Sequence, residues 1–124
     1  MYEELAQIAA TEFPDIVADS IILGRRAAAP LKLRLLIRDG SLVDIWLSPD
    51  QRRYAYHWEQ RAVRGLIHRH DNAPDHPDIA TFPKHFHNGS EEQIEPSNIS
   101  SNPQTALREF LTFVRQRLNQ PDAS

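Results

Sequence analysis

The chain has no cysteine, one methionine and only four glycines in 124 residues. Without thiols, disulfides, thiolate nucleophiles and cysteine-ligated zinc are excluded, and the composition fits a reducing cytoplasm. No stretch approaches the ~20 apolar residues that a membrane helix needs. The first 24 residues hold no lysine or arginine, and MYEELAQIAATEF is acidic and amphipathic where a secretory leader is basic and then apolar. The expectation is a cytoplasmic protein with no membrane segment. The length suits a single domain over 1–124, enough for one hydrophobic core and not for two.

Charge is unevenly spread. The net charge is −3, with five acids and no basic residue in 1–24, ten Lys/Arg against four acids in 25–70, and four against eight in 71–124. A basic middle third points to a polyanionic partner, since Lys and Arg on one surface neutralise phosphates and release counterions. The plainer alternative is the solvated face of a sheet.

Leu5, Ile8, Ala9 and Phe13 recur at helical spacing ahead of Pro14, so residues 2–13 read as an amphipathic helix. Near the other end Asn102-Pro103 supplies an N-cap and a first-turn proline, and Leu107, Phe110, Leu111, Val114 and Leu118 trace one stripe up to Pro121. Between these helices the period falls to two. In LKLRLLIR, Leu31, Leu33, Leu35 and Ile37 oppose Lys32, Arg34 and Arg38, with Leu36 as the exception. A three-residue loop of Asp39, Gly40 and Ser41 predicts the pairs Ile37–Val43, Leu35–Ile45 and Leu33–Leu47, because a one-residue slip turns the apolar set to water. On the outer face this sets Arg34 opposite Trp46, a cation–π pair. RRYAYHWE (52–59) and GLIHRH (65–70) continue the meander, and ILGRR near 21–26 adds a further strand. From 71 to 101 prolines and small polar residues exclude long regular elements. Ile79, Phe82, Phe86 and Ile94 are the residues able to anchor that segment in an ordered state.

All six histidines lie between residues 57 and 87. Three accounts compete. His68 and His70 share one strand face and His85-x-His87 repeats the spacing, which suits a metal site completed by Asp71 or His57, although no diagnostic ligand motif is present. Alternatively His57, Arg69, His85 and His87 converge for phosphodiester cleavage without metal: a base for the 2′-hydroxyl proton, an acid for the departing 5′-oxygen and a cation for the phosphorane. Histidine can do either proton job at neutral pH, and Tyr54, Tyr56 or Trp58, if exposed, can stack on bases. The third account is structural, with satisfied half-buried histidines, Asp71-Asn72 capping a turn, and Pro74, Pro77 and Pro83 stiffening a connection.

YAYHW (54–58), RHDNAPDHPDIATFPKHFH (69–87) and EPSNI (95–99) together resemble the TumE family of bacterial and archaeal toxin–antitoxin proteins. The resemblance covers roughly 30–100, with DNAPxHP and TFPxHxH its most specific parts. It implies a small cytoplasmic toxin encoded beside a helix-turn-helix antitoxin. Matching positions are Tyr56, His57, Trp58, Arg69, Asp71, Asn72, Pro74, His76, Pro77, Phe82, Pro83, His85 and His87. His68 and His70 stand where relatives carry aromatic residues, and Lys84 replaces a histidine, which weakens a metal site built on the strand pair.

The resulting expectation is an α+β fold: an antiparallel meander of four to five strands across 20–70, packed against helices over 1–14 and 102–120, with 71–101 an ordered His/Pro-rich loop. The candidate catalytic residues are His57, Arg69, Asp71, His85 and His87, and the candidate RNA contacts are Arg34, Arg53, Tyr56 and Trp58. No metal ligand and no cofactor is assigned. The expected activity is that of a toxin cleaving RNA by metal-independent His/Arg acid–base chemistry, the alternatives being a binding module or a His-rich metalloprotein. A helix-turn-helix antitoxin and RNA are the expected partners, and homodimerisation is left open.

Overall fold

The computed structural model describes residues 1–24 and 30–120. It has ten elements: α1 (Tyr2–Glu12), β1 (Val17–Gly24), β2 (Pro30–Ile37), β3 (Leu42–Leu47), β4 (Tyr54–Gln60), α2 (Arg61–Arg64), β5 (Leu66–Asp71), β6 (His85–Gly89), β7 (Ile94–Pro96) and α3 (Pro103–Asn119). The strands form one antiparallel sheet in sequential order, β1 to β7. This is the expected α+β class, with seven strands in place of four to five. The Arg25–Arg26 end of the strand expected near 21–26 lies outside the described residues.

The two extra strands fall in the segment expected to be irregular. HFHNG alternates as any half-covered strand does: His85 and His87 are buried on one face while Phe86 turns to the other and stacks on His70, ring centroids 4.2 Å apart. The preceding loop is held mainly by polar contacts. Thr81 Oγ1 donates to Lys84 O (2.6 Å) and accepts from Ser97 N (2.9 Å), and Lys84 Nζ donates to Ile99 O (2.6 Å). Of the apolar anchors expected there, Phe82 is instead exposed.

One face of the sheet carries the core. Leu33, Leu35, Ile37, Val43, Ile45 and Leu47 continue into Tyr54, Tyr56 and Trp58, all buried beneath α1 and α3. Helix α1 contributes Leu5 and Ala9, and α3 contributes Ala106, Leu107, Phe110, Leu111 and Val114. Asn102 caps α3 as expected, its side chain accepting from Thr105 N at 2.9 Å ahead of Pro103 in the first turn.

The β2–β3 hairpin departs from the expected register by two residues. Leu33 pairs with Ile45 and Leu35 with Val43, so the leucines still meet apolar partners, but Arg34 faces Asp44 rather than Trp46. The loop still has three residues, now Arg38, Asp39 and Gly40, because Ile37 N bonds Ser41 O (3.0 Å). Two local features select it. Asp39 Oδ1 accepts from both Ser41 N (2.9 Å) and Ser41 Oγ (2.6 Å), and Gly40 takes φ +94°, a value costly for any residue with a Cβ. Ser41 Oγ in turn accepts from Trp58 Nε1 at 2.9 Å, which ties the hairpin to the core. The Arg34–Trp46 cation–π pair is therefore replaced by a fork: Arg34 Nε and its terminal nitrogen reach the two Asp44 oxygens at 2.8 and 3.0 Å, and Lys32 adds a bond of 2.9 Å.

Candidate functional site on the open face of the sheet

Because side chains alternate along each strand, the core row Tyr56, Trp58 leaves Ala55, His57 and Glu59 on the face opposite the α1–α3 core. Pairing extends this face across two more strands. His57 lies opposite Arg69 and Arg69 opposite His87, while Ala55 lies opposite Asp71 and Asp71 opposite His85. All five candidate catalytic residues thus share one face of three adjacent strands. His57 and His87 stand two strands apart, about 10 Å between backbones, with Arg69 between them.

Arg69 is the hub. It donates to Asp71 Oδ2 (3.0 Å) and Glu91 Oε1 (2.6 Å), and reaches His57 Nδ1 at 3.3 Å. An arginine only donates, so His57 Nδ1 holds a lone pair, and the ring hydrogen on Nε2 points to Glu59 Oε1 at 3.2 Å. Glu59 is fixed by a fork from Arg61, which pulls its carboxyl down to about 2. The result is a carboxylate–imidazole pair aimed at the guanidinium. Burial lowers His57 below the ordinary imidazole value, leaving it neutral at neutral pH.

On the other side of Arg69, Asp71 does two things. It accepts from Ala73 N (3.0 Å), forming the turn that leaves β5, and it meets His85 Nε2 at 3.0 Å, with His87 Nε2 at 3.7 Å. Asn72 pins the same turn to the start of β4 by accepting from Tyr54 N (3.1 Å) and donating to Arg52 O (2.6 Å). The turn carries His76 back over the sheet, its ring centroid 4.7 Å from His85 and 5.8 Å from His87. His85 Nδ1 bonds Pro83 O (3.0 Å) and His87 Nδ1 bonds Glu91 O (2.9 Å). One ligand-type atom from each of His76, His85 and His87 lies within 4.8 Å of the others.

Beside this cluster is an open cleft of about 460 Å³, lined among others by Trp46, Arg53, Ala55, Arg69, His76 and His87. Ala55 makes the hollow, since its short side chain stands between Trp46 on β3 and Asp71 on β5. Trp46 is 40% exposed. Arg53 is exposed too, and among the described residues no carboxylate pairs with its guanidinium.

The candidate RNA contacts divide. Tyr56 and Trp58 are 2% and 1% exposed, packed on Phe110 and Phe113, so they offer no face to a base. The core claims them because Tyr56 pairs with Ile45 and Trp58 with Val43, continuing the apolar rows. Arg34 is forked onto Asp44. Arg53 remains at the cleft, and the exposed aromatic there is Trp46. His68 and His70 belong to the helix face, in contact with Trp58, Phe86 and Phe110, where burial pushes each down to about 4. Sequence reasoning missed Glu59, two positions along β4 from His57, and Glu91, whose place depends on a loop path. It also left His76 out of the site, although His76 stands inside the matching DNAPxHP stretch.

Among the described residues no helix is long and apolar enough to cross a membrane. No curated protein and no solved structure matches the chain. The family model described as Toxin TumE matches residues 5–118, so the chain belongs to that toxin family.

Proposed function

We propose that this chain is the toxin component of a type II toxin–antitoxin pair, restrained by a helix-turn-helix antitoxin, and that its open-face cleft cleaves RNA. The observation that carries the reading is the convergence of a neutral imidazole, an arginine and a histidine cluster beside a cleft with an exposed tryptophan and an unpaired arginine on its rim. Trp46 supplies a stacking surface for a base and Arg53 a cation for the backbone. Glu91, half-exposed on its loop, is the partner that Arg69 exchanges for a phosphate.

When Arg69 turns to the phosphate, His57 Nδ1 is released with its lone pair. It takes the proton from the 2′-hydroxyl, the 2′-oxygen attacks phosphorus, and the bond to the 5′-oxygen breaks. Glu59 holds the imidazolium that forms, as a carboxylate behind a catalytic histidine does. The 5′-oxygen departs toward the His76–His85–His87 cluster and takes its proton from water in the open cleft, leaving a 2′,3′-cyclic phosphate and a 5′-hydroxyl, while His57 returns its proton to solvent.

His57→Ala is expected to abolish growth arrest on induction while the purified variant melts as the wild type does and still binds antitoxin. Full toxicity in a well-folded His57→Ala chain would overturn the assignment. A variant that loses turnover but keeps RNA and antitoxin binding separates this reading from a pure binding module.

A further inference from the structure

We infer that His76, His85 and His87, with Asp71 as the anionic fourth ligand, bind a divalent transition-metal ion at the edge of the cleft. The first support is tautomeric. Nδ1 of His85 faces Pro83 O and Nδ1 of His87 faces Glu91 O, and a backbone carbonyl only accepts, so both rings carry their hydrogen on Nδ1. Both Nε2 lone pairs then point inward, the arrangement by which metal-binding histidines are normally oriented.

The second support is a contact that is repulsive without a positive guest. His85 Nε2, bearing a lone pair, lies 3.0 Å from Asp71 Oδ1, itself an acceptor already bonded to Ala73 N. Arg69 compensates the far oxygen, Oδ2, but two acceptors at that distance, buried, still need a positive centre between them at Oδ1. Either a proton or a metal ion meets that need. The third ring decides for the ion, because His76 closes over the same spot with a nitrogen within 4.8 Å of both others. One proton satisfies one such contact, whereas a single ion satisfies all three rings.

Charge agrees. Asp71 and Glu91 stand beside these rings against the one guanidinium of Arg69, and Asp75 offsets Arg53 across the cleft, leaving an excess of negative charge where a cation is wanted. Three imidazoles and one carboxylate without sulfur suit zinc or a neighbouring late first-row ion. Zinc–nitrogen bonds of about 2.0–2.1 Å put tetrahedral ligand atoms about 3.4 Å apart. The ligand atoms, now within 4.8 Å of one another, therefore draw closer on binding, with the partly exposed His76 closing on the buried pair His85 and His87.

The ion's part in cleavage, placing positive charge beside the phosphorane and the departing 5′-oxygen, rests on the RNA-cleaving reading; its binding does not. The test is uptake of Zn²⁺ and Co²⁺ by the full chain, purified without a polyhistidine tag and stripped with chelator. One ion per chain, tetrahedral Co²⁺ absorption and a raised melting temperature are expected. His76→Ala, a partly exposed loop substitution, should weaken binding at least about 100-fold at unchanged fold, and His57→Ala should leave it unchanged. Absence of stoichiometric uptake, or uptake indifferent to both His76→Ala and His87→Ala, overturns the site. So does a His85 ring that carries both hydrogens, read by nitrogen NMR, in a chain that takes up no ion. Zinc uptake by a chain that leaves RNA intact supports the site and counts only against cleavage; cleavage in chelator by a chain that takes up no ion does the reverse.

Discussion

Ser41 shows how much one small side chain settles. It accepts from Trp58 Nε1, donates to Asp39, and so fixes both the hairpin loop and the deepest aromatic of the core. Ser41→Ala leaves the buried indole N–H without its partner and should cost about 1–3 kcal/mol, measured by denaturant unfolding. At the same scale Glu59→Gln keeps the shape of the dyad and removes the charge that supports a protonated His57. It is expected to slow RNA cleavage by about 10²-fold or more, with little change in RNA affinity. Positions 85 and 87, in a segment expected to be irregular, could not be placed with the others, although that 55, 57 and 59, and 69 and 71, share a strand face was legible by parity. Which face the helices cover was not. That choice turns on Tyr56 and Trp58 extending the Ile45 and Val43 rows, and it sends them to the core rather than to a ligand.

Among elements, the layer between the sheet and α3 is sealed partly by imidazoles. His68 is 2% exposed between Trp58, Phe86 and Phe113, with Nδ1 bonded to Gln60 Nε2 at 2.7 Å. Burial, helped by the positive charges of Arg117 and Arg64, pushes it down to about 4. Its folded value thus lies below the unfolded one near 6.5. The stability linked to it is fully present above pH 6.5 and is lost as pH falls toward 4, roughly 3 kcal/mol in all. Unfolding free energies at pH 7 and pH 4.5 should show a fall that His68→Phe lessens; an equal fall in the variant would refute the role of this ring. On the other face Ala55 opens the cleft, so Ala55→Leu is expected to block cleavage while sparing every catalytic group and changing the melting temperature by only a few degrees. The helices were legible from stripe and cap, and the central strands from alternation. Strands β6 and β7 were obscured because three to five residues give little periodicity, and because histidines facing into a buried cluster do not look apolar. The two-residue error in the hairpin register kept the apolar residues of both strands on one face, Leu33 meeting Ile45 and Leu35 meeting Val43, so hydrophobic pattern alone could not detect it; the Asp39–Ser41 bonds and the Arg34–Asp44 fork decide it.

For the molecule as a whole, two terminal helices clasp one face of a seven-stranded sheet, and the proposed site lies on the other. Arg108–Glu12 and Arg115–Asp15 join the helices at the surface, while Leu5, Leu107 and Leu111 join them to the sheet. Exposed pairs contribute ~1 kcal/mol or less and buried leucines far more. Arg115→Ala is accordingly expected to cost under about 1 kcal/mol and Leu107→Ala about 2–5 kcal/mol, compared by chemical denaturation. Of the ten basic residues of the middle third, suggestive of a polyanion site in the sequence, five are spent on internal pairs: Lys32 and Arg34 on Asp44, Arg61 on Glu59, Arg64 on Asp39, Arg69 on Asp71 and Glu91. Among the described residues Arg38, Arg52 and Arg53 are exposed outside these pairs, and Arg53 is the one that lines the cleft. The most direct measurement is induction of the chain in a bacterial host, wild type beside His57→Ala, with the ends of total RNA mapped over the first hour. RNA fragments ending in 2′,3′-cyclic phosphate from the wild type alone are the predicted result. Growth arrest with intact RNA, or equal fragmentation by both chains, would contradict cleavage by this site.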